Sequence, residues 1–323
     1  MRRDNQSMKH LFPFILASLL AAFQAHAQPY PSKPIRLISG PGPDISARII
    51  ANQLSPRWGQ QIIPETLPAA SGKVAAETVL KAKSDGYTLL NATSSFQISH
   101  ALGINTIDVV EDLTPVVMTN VLPFILVISS QAPFKTIAEL IANAKSSPHR
   151  LNYASGGNGT LPHLAAETFK SVSKIELVHV PFKTADQAAL SVASGQVEMM
   201  FTSYPVVKGL VESGKLRILA TTGAKRLEAL PDVPSMMELG FSDFNFVSWT
   251  CLFAPIGTSP LIVSKIQADV KDALKTEELK RQYRQLGFEF PSEEHLDEKL
   301  SPFLKRDSIK LNNLLKSSQI RID

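Results

Sequence analysis

The sequence predicts an α/β protein of two lobes joined by two crossing strands. Strand-like and helix-like patterns alternate along almost the whole chain, which is the signature of α/β architecture. Two long apolar runs, Pro123 to Ser130 (PFILVISS) and Ser248 to Pro255 (SWTCLFAP), stand apart from the shorter strands. Between them lies a complete second α/β unit, and amphipathic helices follow the second run.

The elements follow in order. Ile35 to Ile38 reads as a buried strand. Asp44 caps a helix whose inner face carries Ala47, Ile50, Ala51 and Leu54. Ile62 to Pro64 is a short strand, and Ser71 caps a second helix with Val74, Ala75, Thr78, Val79 and Ala82. Asp85 and Gly86 turn the chain into a strand at Tyr87 to Asn91. In the middle unit, Leu151 to Ala154 is a strand and Ser155 to Thr160 (SGGNGT) a glycine-rich loop. Thr160 then caps a helix with Pro162 in its first turn, where a missing N–H costs nothing. Leu161, Leu164, Ala165, Thr168 and Phe169 share one face of it. Strands follow at Glu176 to Val180, Val197 to Phe201 and Leu216 to Thr221, with helices after Lys183 and over Val206 to Ser213. The last helices cover Leu261 to Leu274, Glu277 to Leu286 and a segment from Ser292, and are expected to pack on the first unit. The resulting division is 28–124 plus 254–323 for lobe 1 and 125–253 for lobe 2, the layout of a type II periplasmic binding protein.

The start of the chain reads as a secretory signal, residues 1–27. Arg2, Arg3 and Lys9 precede the apolar run Leu11 to Phe23, and Ala25-His26-Ala27 fits the A-x-A cleavage rule, making Gln28 the first mature residue. Met8 opens an equally complete signal, so either Met can be the start. The expected location is the periplasm, as a soluble protein. The chain of 323 residues is 44% hydrophobic and 19% charged, with a net charge of +4. Half of that excess belongs to the signal, leaving too little to argue for nucleic acid or a membrane surface. Cys251 is the only cysteine, so no internal disulfide forms, and its apolar run marks it as a buried filler.

Loops after strands carry the candidate chemistry. The loop of Ser155, Gly156, Gly157, Asn158, Gly159 and Thr160 turns backbone N–H groups and a positive helix end toward one spot, a cradle for a carboxylate or phosphate; the same shape also serves as a plain turn. Ser39, Gly40, Gly42 and Asp44 form a second such loop, with Pro41 and Pro43 lacking N–H donors. Its sixth position is Ile45, so the dinucleotide pattern fails. Thr93, Ser94 and Ser95 follow a strand and can line a cleft with hydroxyls, as can Thr202 and Ser203. Lys183 either pairs with an anion or sits on the surface, and His163 either donates to a ligand or caps and packs. Enzyme signatures are absent: Ser171-Val-Ser-Lys174 matches S-x-x-K without its partner motifs, and His100, His149, His163, His179 and His295 have no metal-ligand spacing. No cofactor, catalytic residue or metal is expected.

YASGGNGTLPHLAAE resembles the central motif of the periplasmic solute receptors of tripartite tricarboxylate transporters, the Bug family. YPSKPIRLI, SDGYTLL, HVPFK, GQVEMMF, GKLRILATTGAKRLEALPDVPSMMELG and SWTCLFAPIGT recur in the same order from Tyr30 onward. The resemblance implies a two-lobe receptor, monomeric, that traps a small organic acid or other carboxylate and delivers it to membrane permease subunits. It places the ligand loops at Thr93 to Ser95, at the glycine loop and at Lys183. In the family the first loop is longer and richer in glycine, and an Asp-Asn pair often stands where this chain has Thr202 and Ser203. Two rivals remain open: a secreted enzyme on the same fold, and a ligand-sensing subunit of a membrane signalling protein.

Overall fold

The computed structural model describes residues 30–40, 45–67, 72–147, 150–297 and 299–317. The signal-like segment, Gly42, Asp44 and Ser71 lie outside the described residues.

The first lobe is a sheet in the order β2-β1-β3-β9-β4. β1 (Ile35–Ser39) pairs in parallel with β2 (Ile62–Thr66) and β3 (Thr88–Thr93). β9 (Val247–Pro255) runs antiparallel to β3 and to the first part of β4 (Leu113–Ser129). Helices α1 (Ile45–Trp58), α2 (Lys73–Leu80), α3 (Ser94–Ala101) and α4 (Val109–Asp112) belong to this lobe. Two apolar cores flank its sheet: Ile35, Leu37, Ile50 and Leu54 lie in one, Ile38, Leu90, Phe96 and Phe253 in the other. Alternate residues of a strand serve opposite faces, which is why β1 reads as a nearly continuous apolar run.

The second lobe repeats the design. α5 (Ile137–Ser146) precedes β5 (Asn152–Ser155), which pairs in parallel with β6 (Val178–Pro181) and β7 (Met199–Ser203). The far part of β4 pairs antiparallel with β7 and with β8 (Leu216–Thr221). Helices α6 (Leu161–Ser173), α7 (Ala185–Ala193) and α8 (Tyr204–Glu212) follow β5, β6 and β7. Ser155, read from sequence as the first loop residue, closes β5.

β4 is 17 residues long and belongs to both sheets: Leu113 to Pro123 pair with β9, and Phe124 to Ile128 pair with β7. The second crossing lies at Phe246 and Val247, where the chain enters β9. Residues 247–253, grouped by sequence with the second lobe, therefore pair into the first sheet. Thr222 ties the two crossings together. Its Oγ1 accepts from Phe124 N at 2.9 Å and donates to Phe246 O, and its backbone pairs with the same two residues. Cys251 is fully buried in β9, and burial pushes its thiol pKa up.

After β9 come α9 (Pro260–Leu274), α10 (Glu277–Leu286) and α11 (Leu300–Ser317). α9 and α10 pack on the first lobe through Ile266, Val270, Leu279 and Tyr283, as the sequence predicts. α11 does not stay there. Leu300 and Leu304 sit in a first-lobe core, whereas Leu311 and Leu315 sit in a second-lobe core with Phe169 and Phe244. Trp249 Nε1 donates to Asp307 Oδ2 at 2.7 Å between these anchors. One helix thus straps the lobes on the side away from α10.

Candidate functional site

Each parallel strand ends at the same edge of its sheet and delivers the chain into a helix. Such carboxyl-end crevices are where open α/β sheets bind ligands. The two edges face each other across a cavity of about 260 Å³. Five helix starts reach its wall: Ile45 and Ser46 of α1, Thr93 and Ser95 at α3, Thr160 and Leu161 at α6, Ala185 of α7, and Ser203 and Pro205 at α8. A helix start carries about half a positive charge with unpaired N–H groups. Both lobes contribute, so the field is positive from two sides.

Hydroxyls line the same wall. Thr93 and Ser203 occupy N-cap positions with extended backbone, yet neither side chain makes a capping bond, which leaves both hydroxyls for another partner. Thr202 is 2% exposed and Ser248 and Thr250 are also buried against the cavity. The floor is apolar, with Leu122, Phe124, Met200, Phe201, Val206 and Phe288. No ionisable side chain stands in the wall among the described residues.

The glycine loop has a defined internal scaffold. Gly157 N donates to Ser155 Oγ at 3.2 Å, Thr160 Oγ1 donates to Gly157 O at 3.1 Å, and Gly159 N donates to His163 Nδ1 at 3.0 Å. Two N–H groups that the sequence assigns to a ligand are therefore spent inside the loop. Gly157 holds φ +131°, which an L side chain rarely adopts, and a Cβ on Gly156 would stand 3.0 Å from the backbone N of Ala185. Leu102 of the first lobe closes over Gly159.

Of the residues singled out by sequence, Thr93, Ser95, Gly156, Thr160, Thr202 and Ser203 line the cavity. Gly42 and Asp44 lie outside the described residues, and the other described ones do not line it. Ser94 is buried with its hydroxyl 2.9 Å from that of Ser248. Ser39 is buried at the end of β1, accepting from Asn91 Nδ2 at 3.5 Å, while Gly40 packs against the ring of Phe96. His163 is buried under the glycine loop, the packing outcome. Asn158 and Lys183 are exposed and stand off the wall. Ser46, Asn120, Ser248, Thr250 and Phe288 were not singled out by sequence. Ser46, in the first turn of α1, and Ser248, at the start of β9, carried a usable signal; Asn120 and Phe288 arrive only through the fold.

The model of the tripartite tricarboxylate transporter family receptor matches residues 46–317. The chain belongs to that receptor family. A UPF0065 protein of Bordetella pertussis is 32% identical to this receptor over 80% of the chain and 81% of its own length. Among solved structures, Rpa4515 of R. palustris with adipate superposes with a TM-score of 0.82 at 28% identity, covering 90% of this receptor and 99% of that chain. MatC of Rhodopseudomonas palustris with bound malate has a TM-score of 0.77 at 26% identity, covering 88% and 100%. The receptor is a two-lobe α/β solute-binding protein of the periplasmic binding protein type. Among the described residues no helix is long and apolar enough to cross a membrane.

Proposed function

We propose that the receptor is exported through a cleaved segment, residues 1–27, captures a small carboxylate in the cleft between its lobes, and hands it to the permease subunits of a tripartite transporter. The observation that carries this is the meeting of five helix starts from both lobes on one cavity walled by neutral hydroxyls. N–H donors and hydroxyls match carboxylate oxygens, and the apolar floor accepts a carbon chain. Adipate and malate in related receptors support the class of ligand, not its identity. Membership of a receptor family, with relatives holding adipate and malate, supports capture over turnover. The division into lobes meeting at 124 and near 247 follows the sheet pairing.

Calorimetric titration tests this with adipate and malate against adipamide, which keeps the chain of adipate without its charges. A carboxylate binding at least about 10-fold tighter than its amide, or about 1.4 kcal/mol, supports the proposal. Equal binding of adipate and adipamide contradicts it.

A further inference from the structure

Beneath the glycine loop lies a stack of three rings from three elements. Tyr153 of β5 stacks on His179 of β6 at 4.7 Å and 14°, and His179 stacks on His163 of α6 at 4.0 Å and 18°. Each histidine holds one end of the loop. His163 Nδ1 accepts the N–H of Gly159, and His179 Nε2 lies 2.7 Å from Ser155 Oγ, the atom that accepts from Gly157 N. The Gly159 bond requires a lone pair on Nδ1, so the His163 ring is neutral with its proton on Nε2.

We propose that His163 and His179 are positioning residues that set the ligand-facing shape of the glycine loop, and that the loop holds this shape only while the His163 ring is neutral. A proton on Nδ1 of His163 replaces an acceptor by a donor facing another donor, and the clasp on Gly159 must open. Two imidazolium rings at 4.0 Å repel each other, so the stack does not hold a charge on both rings.

The titratable and charged groups facing the pair are Tyr153 from β5 and Glu167 and Lys170 from α6. Glu167 accepts from Tyr153 Oη and pairs with Lys170 Nζ at 2.9 Å, so its charge is already engaged. Burial lowers the pKa of His163, and burial together with His163 lowers that of His179 to about 4. Both histidines take protons more readily in the open or unfolded loop than in the closed one. The closed loop keeps its full stability above about 6.5, the ordinary histidine value, and loses it as pH falls below that value through the lowered pKa of His163. The receptor would release its ligand in acid without unfolding its lobes.

Nuclear magnetic resonance on the exported chain labelled with ¹⁵N tests this without any ligand. It therefore succeeds or fails separately from the carboxylate reading. Histidine side-chain spectra are expected to show His163 as the Nε2–H tautomer at neutral pH. On titration from pH 7.5 to 4, the amide signals of Gly157 and Gly159 should shift with the histidine midpoint and return on neutralisation, while first-lobe core signals stay in place. His163→Gln, which keeps an acceptor but does not titrate, should abolish the acid transition. His163→Phe keeps the stack without the acceptor and should lower protection of the Gly159 amide about 5- to 10-fold at neutral pH. An Nδ1–H tautomer, glycine amides that hold still through the histidine midpoint, or an acid transition that survives in His163→Gln overturns the proposal.

Discussion

At the scale of single residues, the side chains that matter are defined by where strands end. Thr202 is the fourth residue of β7, 2% exposed, with its side chain at the cavity wall. Thr202→Val keeps the shape and removes one hydroxyl. For the tightest-binding acid of a calorimetric panel, affinity is expected to fall about 5-fold, or ~1 kcal/mol, with little change in melting temperature. Lys183 provides the matched control. It is exposed and off the wall, so Lys183→Ala should leave affinity within about twofold at low and high salt alike. A strong salt-dependent loss in that variant would return the lysine to the site. The sequence marked Thr93, Ser95, Thr160, Thr202 and Ser203 because hydroxyls at strand ends are legible one segment at a time. His179 was passed over because its partners, Ser155 and His163, sit 24 and 16 positions away and meet only when β5, β6 and α6 pack. Lys183 was legible as part of a motif, but a motif does not say which way a side chain leaves the strand.

At the scale of elements, the crossing between lobes depends on one buried threonine. Thr222 is fully buried and satisfies the N–H of Phe124 while bonding the carbonyl of Phe246. Thr222→Val leaves the Phe124 N–H without that partner inside the protein. The expected cost is about 1–3 kcal/mol, read as a lower urea midpoint, larger than for a surface threonine such as Thr106. An unchanged midpoint would mean that the two crossings are held by the backbone bonds of Thr222 and by packing, without its hydroxyl. Strands and helix starts such as that after Thr160 were readable because turn and cap residues announce them. The reach of α11 was not. Leu300, Leu304, Leu311 and Leu315 form one apolar stripe in sequence, and nothing in a stripe says that its two halves serve different lobes.

At the scale of the whole molecule, the lobes touch on both flanks of the cleft. On one side Arg284 lies 3.4 Å from Glu228 and Lys208 donates to the carbonyl of Gln285. On the other, Leu102 covers Gly159 and α11 spans the two cores. The cavity is thus framed by contacts between lobes, and a ligand inside it adds a further bond between them. The two-lobe layout was legible because two long apolar strands bracket a self-contained α/β unit. The neutral wall was not, since it is assembled from separate segments of chain spread between Ile45 and Phe288. The central claim is that this wall holds a small carboxylate, and native mass spectrometry of gently purified receptor tests it most directly. The account predicts a mass excess of one small organic acid per chain, identified as a carboxylate after release, and its loss in Gly157→Val, where φ +131° cannot hold a branched side chain. A bare chain that also fails to take up any acid from a carboxylate panel, or a bound solute with no acid group, would contradict it.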